Sequence, residues 1–403
     1  MDHRPLVLVL RTGTQDAREY LLRSMSTRYR LHLVSSLDPS WEREYLDGWT
    51  IHDSRDPAQA LAVAAGIEGV SGVLTWDEAR VTQVAHIADG LRLPGAGQQA
   101  AQWCREKNLT RRALDAAGVP QPRSVSVSGA DQAVAAAATI GYPVVIKPND
   151  LLASMGVIRA ADEEELRAAY TQLTGYKVGG LPDYVFRPLV EECVTGEEIS
   201  VDSVLFEGEL TVLCVARKTT GYPPYFAEVQ HMVDSRDPLL ADAELHAFLQ
   251  AAHQAVGYSS GVTHTEIMLT AEGPKIIEIN GRLGSGLIPY LALEAIGVDI
   301  GLAACDTACG VRPVLGGGLG RVAGIRFLHP EQPGTVVESI RFDEAALDPA
   351  VVSTFLYARP GSVVSPPDGS GHGRIGYAVA VAGSAEECQA ALDSAEAALL
   401  INK

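Results

Sequence analysis

The stretch from Thr263 to Arg282 constrains this chain more than any other. Two β-rich runs, Thr263 to Leu269 and Lys275 to Ile279, flank Thr270-Ala-Glu-Gly-Pro274, which is the pattern of a hairpin. In the second run Glu278, Asn280 and Arg282 alternate, so they share one face of a strand while Ile277 and Ile279 point the other way. With the loop centred on Glu272, Glu266 lies six residues before the centre and Glu278 six after it. That register opposes the two carboxylates, with Cβ atoms about 5 Å apart. Like charges opposed in this way are destabilising unless something sits between them. Carboxylate and amide oxygens suit a hard divalent cation such as Mg²⁺, which completes its shell with water and substrate phosphate. Arg282, one step further along the face, can hold a phosphate or carboxylate. The same pattern also suits a solvated hairpin in which Arg282 neutralises Glu278, so the rest of the chain has to decide.

Composition narrows the choice. A length of 403 residues predicts two to three domains. Hydrophobic residues at 47% and charged residues at 20% supply a core and exclude wholesale disorder. The net charge of −18 argues against nucleic acid or an anionic membrane as partner. An anionic substrate would need cations gathered locally against that field. Six cysteines do not make a disulfide scaffold and read as free thiols in a reducing cytosol, with Cys305 and Cys309 as buried thiols on one helix. The first apolar run, Leu6 to Leu10, is too short for a signal peptide, and the apolar stretch Leu287 to Cys305 carries Glu294 and Asp299. A soluble cytoplasmic protein is expected.

Along the chain, Leu6 to Leu10, Arg30 to Val34 and Val70 to Thr75 read as strands of an open parallel α/β module, with a helix over Asp77 to Asp89 and helical sequence at 98–118. Strand Pro143 to Lys147 leads into a small-residue loop, Asn149 to Gly156, and then a helix capped at Asp162 with Glu165. A hairpin turns at Phe206-Glu-Gly-Glu209, Ser285 to Cys309 is mostly helical, and the tail ends in a helix capped at Ser384. There is no Walker A motif, no His-Glu-x-x-His and no Cys-x-x-Cys. Gly371-x-Gly-x-x-Gly376 matches a dinucleotide fingerprint but precedes a strand, so it reads as a loop.

Two further signals accompany the hairpin. Lys147 ends a β-run before Ser154-Met155-Gly156, a loop able to present backbone N–H groups to phosphates, and Lys107 is a second candidate cation. Val190-Glu-Glu-Cys-Val194 can offer one carbonyl and one N–H to an adenine edge, with a carboxylate following for ribose hydroxyls. Each alone is equally a solvated lysine or an acidic surface loop.

In combination these residues resemble the ATP-grasp superfamily: lysine, strand-end lysine with small-residue loop, acidic hinge, then Glu…Glu-x-Asn-x-Arg, over roughly residues 70–300. The resemblance implies an ATP-grasp fold of mixed α/β and α+β class, divided at 1–105 (parallel α/β), 106–190 (lid and central part), 191–310 (catalytic part) and 311–403 (strand-rich extension packing on the catalytic part). It implies that Lys107 and Lys147 bind ATP phosphates beneath a mobile loop of Ser154, Met155 and Gly156. Glu191, Glu192 and Val194 become the adenine hinge, and Glu198 the ribose ligand. Glu266, Glu278 and Asn280 become ligands of two Mg²⁺ ions (Mn²⁺ as substitute), and Arg282 steadies an acyl phosphate and its tetrahedral successor.

Within the superfamily the chain is most similar to carboxylate–amine ligases of the L-amino acid ligase (dipeptide synthetase) type. The residues are Gly72 to Thr75 with Leu93-Pro-Gly95, Cys104 to Arg111 with Ala117 to Pro122, and Lys218 to His231. That likeness implies substrate contacts from Lys218, Glu228, His231 and Arg282, with His231 also catalytic. It implies small-molecule carboxylate and amine substrates, expected to be amino acids, and a homodimer. Gln230 and Gly286 depart from the type, where a glycine and a bulky aromatic are common, and both bear on substrate choice. Other readings are an ATP-grasp enzyme activating bicarbonate or a nucleotide precursor, a non-catalytic nucleotide-binding protein, and a nicotinamide-dependent oxidoreductase.

Overall fold

The computed structural model describes residues 2–53, 55–151, 154–175, 185–369 and 373–402. At the N-terminus four parallel strands stand in the order Gly48–Ile51, Arg30–Ser35, Leu6–Leu10, Val70–Leu74. Every residue of Leu6–Leu10 is buried, because a central parallel strand is covered on both faces; that is why it reads as an unbroken apolar run. The edge strand Gly48–Ile51 and the helix Pro57–Ala65 were not expected. The strand is short and half-exposed, although Asp56 and Pro57 do form a cap and first turn that the sequence displays.

The helical sequence at 98–118 breaks into Gln98–Arg105 and Lys107–Ala116, with Glu106 extended between them. The Lys107 amide donates to the Asn149 carbonyl across the break (3.0 Å), which fixes Lys107 beside the small-residue loop. A four-stranded antiparallel sheet follows, in the order Ser124–Ser126, Pro188–Glu192, Val144–Pro148, Ile158–Ala160. Helices Ala130–Ile140 and Glu163–Thr174 cover it, and Asp162 caps the second by accepting from the Glu165 amide.

The third sheet has eight strands, in the order Gly273–Asn280, Gly261–Thr270, Glu197–Phe206, Glu209–Gly221, Ala227–Asp234, Val322–Leu328, Gly376–Ala382, Val351–Leu356. The last three belong to the 311–403 stretch. They hydrogen-bond into the catalytic sheet as strands of it, where the sequence suggested an extension lying on top. Glu207 and Gly208 both take positive φ (53° and 83°), the two-residue turn that closes the hairpin expected there. The loop expected at Gly371 lies partly outside the described residues; the strand expected after it is present from Gly376.

Helix Gln15–Met25 ties the N-terminal module to this sheet's helices: Leu21, Leu22 and Met25 share one core with Leu291, Ile300 and Ala303. The segment expected to be helical from Ser285 forms two helices, Ile288–Ala295 and Ile300–Ala308, bent by 109° at their junction. Among the described residues no single helix is long and apolar enough to cross a membrane.

Candidate active site

Between the four-stranded and eight-stranded sheets lies a cleft of about 1060 Å³. Its lining takes in Lys107, Lys147, Ser154 and Met155 on one wall. Glu191, Glu192, Val194 and Glu198 lie at the join between the sheets, and Glu228, Glu266, Glu278, Asn280 and Arg282 on the floor. Gly156, Lys218 and His231 stand outside that lining.

The floor depends on register. Glu266 pairs directly with Glu278, as expected, but by a different route. The turn holds only Ala271 and Glu272, since Thr270 pairs with Gly273. A regular ladder from that turn would set Glu266 against Ile277. A β-bulge inserts Ile277 between the pairs Ile267–Ile276 and Glu266–Glu278, and the carboxylates become opposed.

On the wall, Lys147 Nζ lies 2.6 Å from Glu191 Oε2, and Arg111 Nε lies 2.8 Å from Glu191 Oε1. Arg111 also donates to the carbonyls of Ile276 and Ile277 (3.2 and 2.7 Å), so it staples the wall to the bulge. Burial opposes the charge on Glu191, yet Arg111 and then Lys147 hold its carboxyl at about 2. Burial pushes the Lys147 ammonium down, against the pull of Glu191. Glu191 was expected to offer main-chain contacts at the hinge. Its backbone is instead flanked by strands on both sides, at Ser124 and Val145, and its carboxylate orients Lys147. The chain leaves the sheet after Glu192, so Glu192 and Val194 are the pair placed at the join. Gly156 is also displaced from its expected role. Its φ is +72° and a Cβ there would meet Pro148 Cγ at 2.8 Å, so it shapes the loop by packing closely on Pro148. Residues 152 and 153 of that loop lie outside the described residues.

Lys107 Nζ donates to Leu151 O (2.8 Å) and lies 2.9 Å from Glu278 Oε1. Lys218 Nζ sits among three carboxylates: Glu198 Oε1 at 2.7 Å, Glu228 Oε1 at 3.0 Å and Glu266 Oε1 at 3.2 Å. Burial alone would lower its pKa, but Glu266, Glu198 and Glu228 raise it well above the ordinary value. An ammonium has three donors, and all three are taken. Lys218 was expected to contact substrate; it stands outside the cleft lining, its ammonium held by Glu198, Glu228 and Glu266.

His231 is corrected likewise. The sequence suggested a loop, but Glu228 and His231 lie on strand Ala227–Asp234, where Lys218 pairs with His231. Three residues apart on a regular strand would face opposite sides; a bulge between Thr219 and Thr220, with Val229 as the extra residue, brings them together. His231 is fully buried, its ring edge-on to Phe327, and neither ring nitrogen has a hydrogen-bond partner. Its Nε2 is 3.6 Å from Glu228 Oε2, and burial lowers its pKa although Glu228 opposes that. A Cβ on Gly286 would stand 2.8 Å from Nε2, so His231 fills the space that a bulky residue at 286 would claim. Gln230 binds Gln389 and Arg326, and its departure from the type leaves the cleft lining untouched.

Several residues of the site were missed. Glu78, buried in the N-terminal module, holds Arg282 Nε at 2.7 Å. Asp202, fully buried, accepts from His264 Nδ1 (2.7 Å) and from the Gly284 amide (2.9 Å). Burial opposes the His264 imidazolium, but Asp202 raises its pKa to about 9. Arg374 reaches Glu228 Oε2 at 3.0 Å from the tail, its guanidinium 3.6 Å from the Phe327 ring centre. Only Arg111 carried a local signal, one helical turn after Lys107. The others join through contacts between distant segments.

The donor set can be tested for a metal. Glu266 and Glu278 are opposed and open to the cleft, and each is held by a lysine, Lys218 or Lys107. The Asn280 amide nitrogen donates to Glu278 Oε1 and Glu78 Oε2, both at 3.2 Å, and turning the amide over would present its oxygen to the same space. Two carboxylates and an amide oxygen are ligands for a hard divalent cation, with room left for phosphate oxygens. The residues fit Mg²⁺. Among the described residues no group of three or more His, Cys, Asp or Glu side chains forms a ready-made metal cage.

Comparison with known proteins gives the same answer. Residues 140–289 match the ATP-grasp domain family, whose enzymes use ATP and Mg²⁺, and residues 326–402 match L-amino acid ligase C-terminal domain 2. The chain is 30% identical over 393 residues to the uncharacterized protein y4rH of Sinorhizobium fredii, covering 94% of this chain and 79% of that one. It is 27% identical over 283 residues to the alanine–anticapsin ligase of Bacillus subtilis, covering 65% of this chain and 59% of that enzyme, so it spans less than two thirds of that relative's length. The crystal structure of L-amino acid ligase from Bacillus licheniformis shares its fold with a TM-score of 0.80, at 21% identity, over 100% of this chain and 99% of that one. The chain therefore belongs to the ATP-grasp superfamily, as an ATP-dependent carboxylate–amine ligase with an L-amino acid ligase C-terminal domain.

Proposed function

We propose that this ligase joins the carboxyl group of one amino-acid-like substrate to the amine of another through an acyl phosphate. The observation that carries this reading is the convergence on one cleft of two opposed carboxylates, Glu266 and Glu278, with Lys107, Lys147 and Arg282. The name of alanine–anticapsin ligase supports amino-acid-like substrates.

A substrate carboxylate oxygen attacks the γ-phosphorus of ATP and ADP leaves. The amine nitrogen then attacks the acyl carbon, loses a proton, and phosphate departs. No protein nucleophile is needed; the chain's tasks are placement, charge neutralisation and exclusion of water. Lys147, steadied by Glu191, faces the phosphates. The Glu192 carbonyl and Val194 N–H address the adenine, and Glu198 the ribose. Arg282, steadied by Glu78, meets the charge that develops at the acyl centre. Glu228 receives a substrate ammonium. Met155, Phe226 and Ile277 in the lining keep the acyl phosphate from water. Two Mg²⁺ ions, or Mn²⁺ in their place, held by Glu266, Glu278 and Asn280, would supply neutralisation of phosphate charge. The working form in this reading is a cytoplasmic homodimer, in keeping with six unpaired thiols.

The test is ADP release across a panel of acid–amine pairs with mass detection of products. ADP and an amide that both depend on two amino acids are expected. Turnover only with bicarbonate or another non-amino acid would replace this reading.

A further inference from the structure

Arg18 lies in the first turn of helix Gln15–Met25, where a cation opposes the helix dipole. Thr14, at the N-cap, makes no side-chain capping bond, and Asp16 is the acidic residue of that first turn. Among the described residues no carboxylate forms an ion pair with Arg18. Its recorded hydrogen bond is a long one, Nη1 to the Gly284 carbonyl at 3.4 Å. Gly284 sits two residues after Arg282, in the loop whose Arg282 and Ser285 line the cleft. Arg18 retains accessible surface, yet burial, and also the charge of Arg282, push its guanidinium down, against the pull of Tyr20 and Asp202. Aromatic rings gather around the same helix end: Tyr20 against Tyr290 at 5.3 Å, and Tyr377 donating to the Asp16 carbonyl at 3.4 Å.

The other cations near the reaction centre are committed. Lys107, Lys147 and Lys218 are each held by carboxylates, Arg282 by Glu78, and Arg374 by Glu228. Joining two amino acids leaves the acid partner with an ammonium and the amine partner with a carboxylate. Glu228 offers a site for the first. The second needs a cation that no carboxylate holds in an ion pair, beside Arg282.

We propose that Arg18 is a specificity-determining residue that binds the carboxylate of the amine-donating substrate, an α-amino acid, across the Gly284 loop. This rests on the ligase reading above. A guanidinium suits the task because its planar fork can bind a carboxylate through two N–H donors.

The experiment uses the full chain and the L-amino acid that serves best as amine in the ADP-release panel, beside its α-carboxamide. Wild type should show a lower KM for the acid than for the carboxamide. Arg18→Gln should raise KM for the acid by about 10- to 100-fold, the worth of one charge-assisted bond. It should leave the carboxamide KM and the ATP KM within about threefold, and Arg18→Lys should recover part of the loss. An unchanged acid KM in Arg18→Gln overturns the proposal, as does an equal rise for acid and carboxamide, which would mark Arg18 as a clamp on the loop. Failure of wild type to form an amide from any amino-acid pair would instead remove the ligase reading beneath it.

Discussion

Where Lys107 and Lys147 converge, three cations including Arg111 meet two carboxylates, Glu191 and Glu278. Around Lys218 the balance reverses: Lys218 and Arg374 meet three carboxylates, Glu198, Glu228 and Glu266. The first region lacks a negative charge and the second a positive one; in the proposed reading a triphosphate completes the first, and a divalent cation or a substrate ammonium the second. On that reading a chain of net charge −18 holds an anionic nucleotide by sorting charge across one cleft, with no need for a positive surface. The two regions also differ in redundancy. Glu191 keeps Arg111 if Lys147 is lost; if Lys218 is lost, Glu228 keeps Arg374 and Glu266 keeps His264 at 3.7 Å, but Glu198 is left with no ion-pair partner among the described residues.

The largest expected effect follows from that difference. Lys218→Met should destabilise the fold by about 3–5 kcal/mol, because removing one partner strands buried charge. Lys147→Met should cost much less, with Arg111 still on Glu191, and should show chiefly as weaker ATP binding. Urea midpoints of the two variants measure the contrast, and equal losses would erase the distinction between the regions. Next in size, Glu278→Gln should lower kcat by at least about 10²-fold without unfolding the protein, and activity should vanish in excess chelator. Near-normal turnover of that variant would remove the metal assignment. The smallest effect should come from Glu228→Gln. A lost charge-assisted bond should raise KM for one amino substrate by about tenfold while the ATP KM stays within threefold. A parallel rise in both would show that Glu228 serves the nucleotide half too.

Much of this site was legible because ATP-grasp chemistry spaces its residues along single strands. Glu278, Asn280 and Arg282 read as one face from alternation alone. Lys147 was marked by the apolar run before it. The opposition of Glu266 and Glu278 was foreseen with a loop centred one position too simply; the true two-residue turn and the bulge at Ile277 shift the register by compensating amounts. No such compensation helped with Glu228 and His231. A bulge at Val229 changes which residues share a face, and alternation cannot register an extra residue. Glu78, Asp202 and Arg374 were beyond reach for another reason. Their partners lie far along the chain, from Glu78 to Arg282 and from Glu228 to Arg374, and a sequence pattern reports only neighbours. Lys218 and His231 were expected to meet substrate, but both stand outside the cleft lining, because burial and donor count are properties of the packed state.

The eight-stranded sheet has a temporal side. Strand Ala227–Asp234 hydrogen-bonds on one flank to the chain just made and on the other to Val322–Leu328. On a ribosome, its free flank must wait for that later strand to emerge, roughly 5–20 s at ordinary synthesis rates. For that interval Glu228 has no Arg374 and the nascent sheet shows an open edge, the kind of surface that recruits other strands. This side of the cleft floor is finished last, by the end of the chain, so a ribosome-bound fragment with the hairpin, Lys107 and Lys147 in place still lacks the strands and the Arg374 contact that complete the surroundings of Glu228.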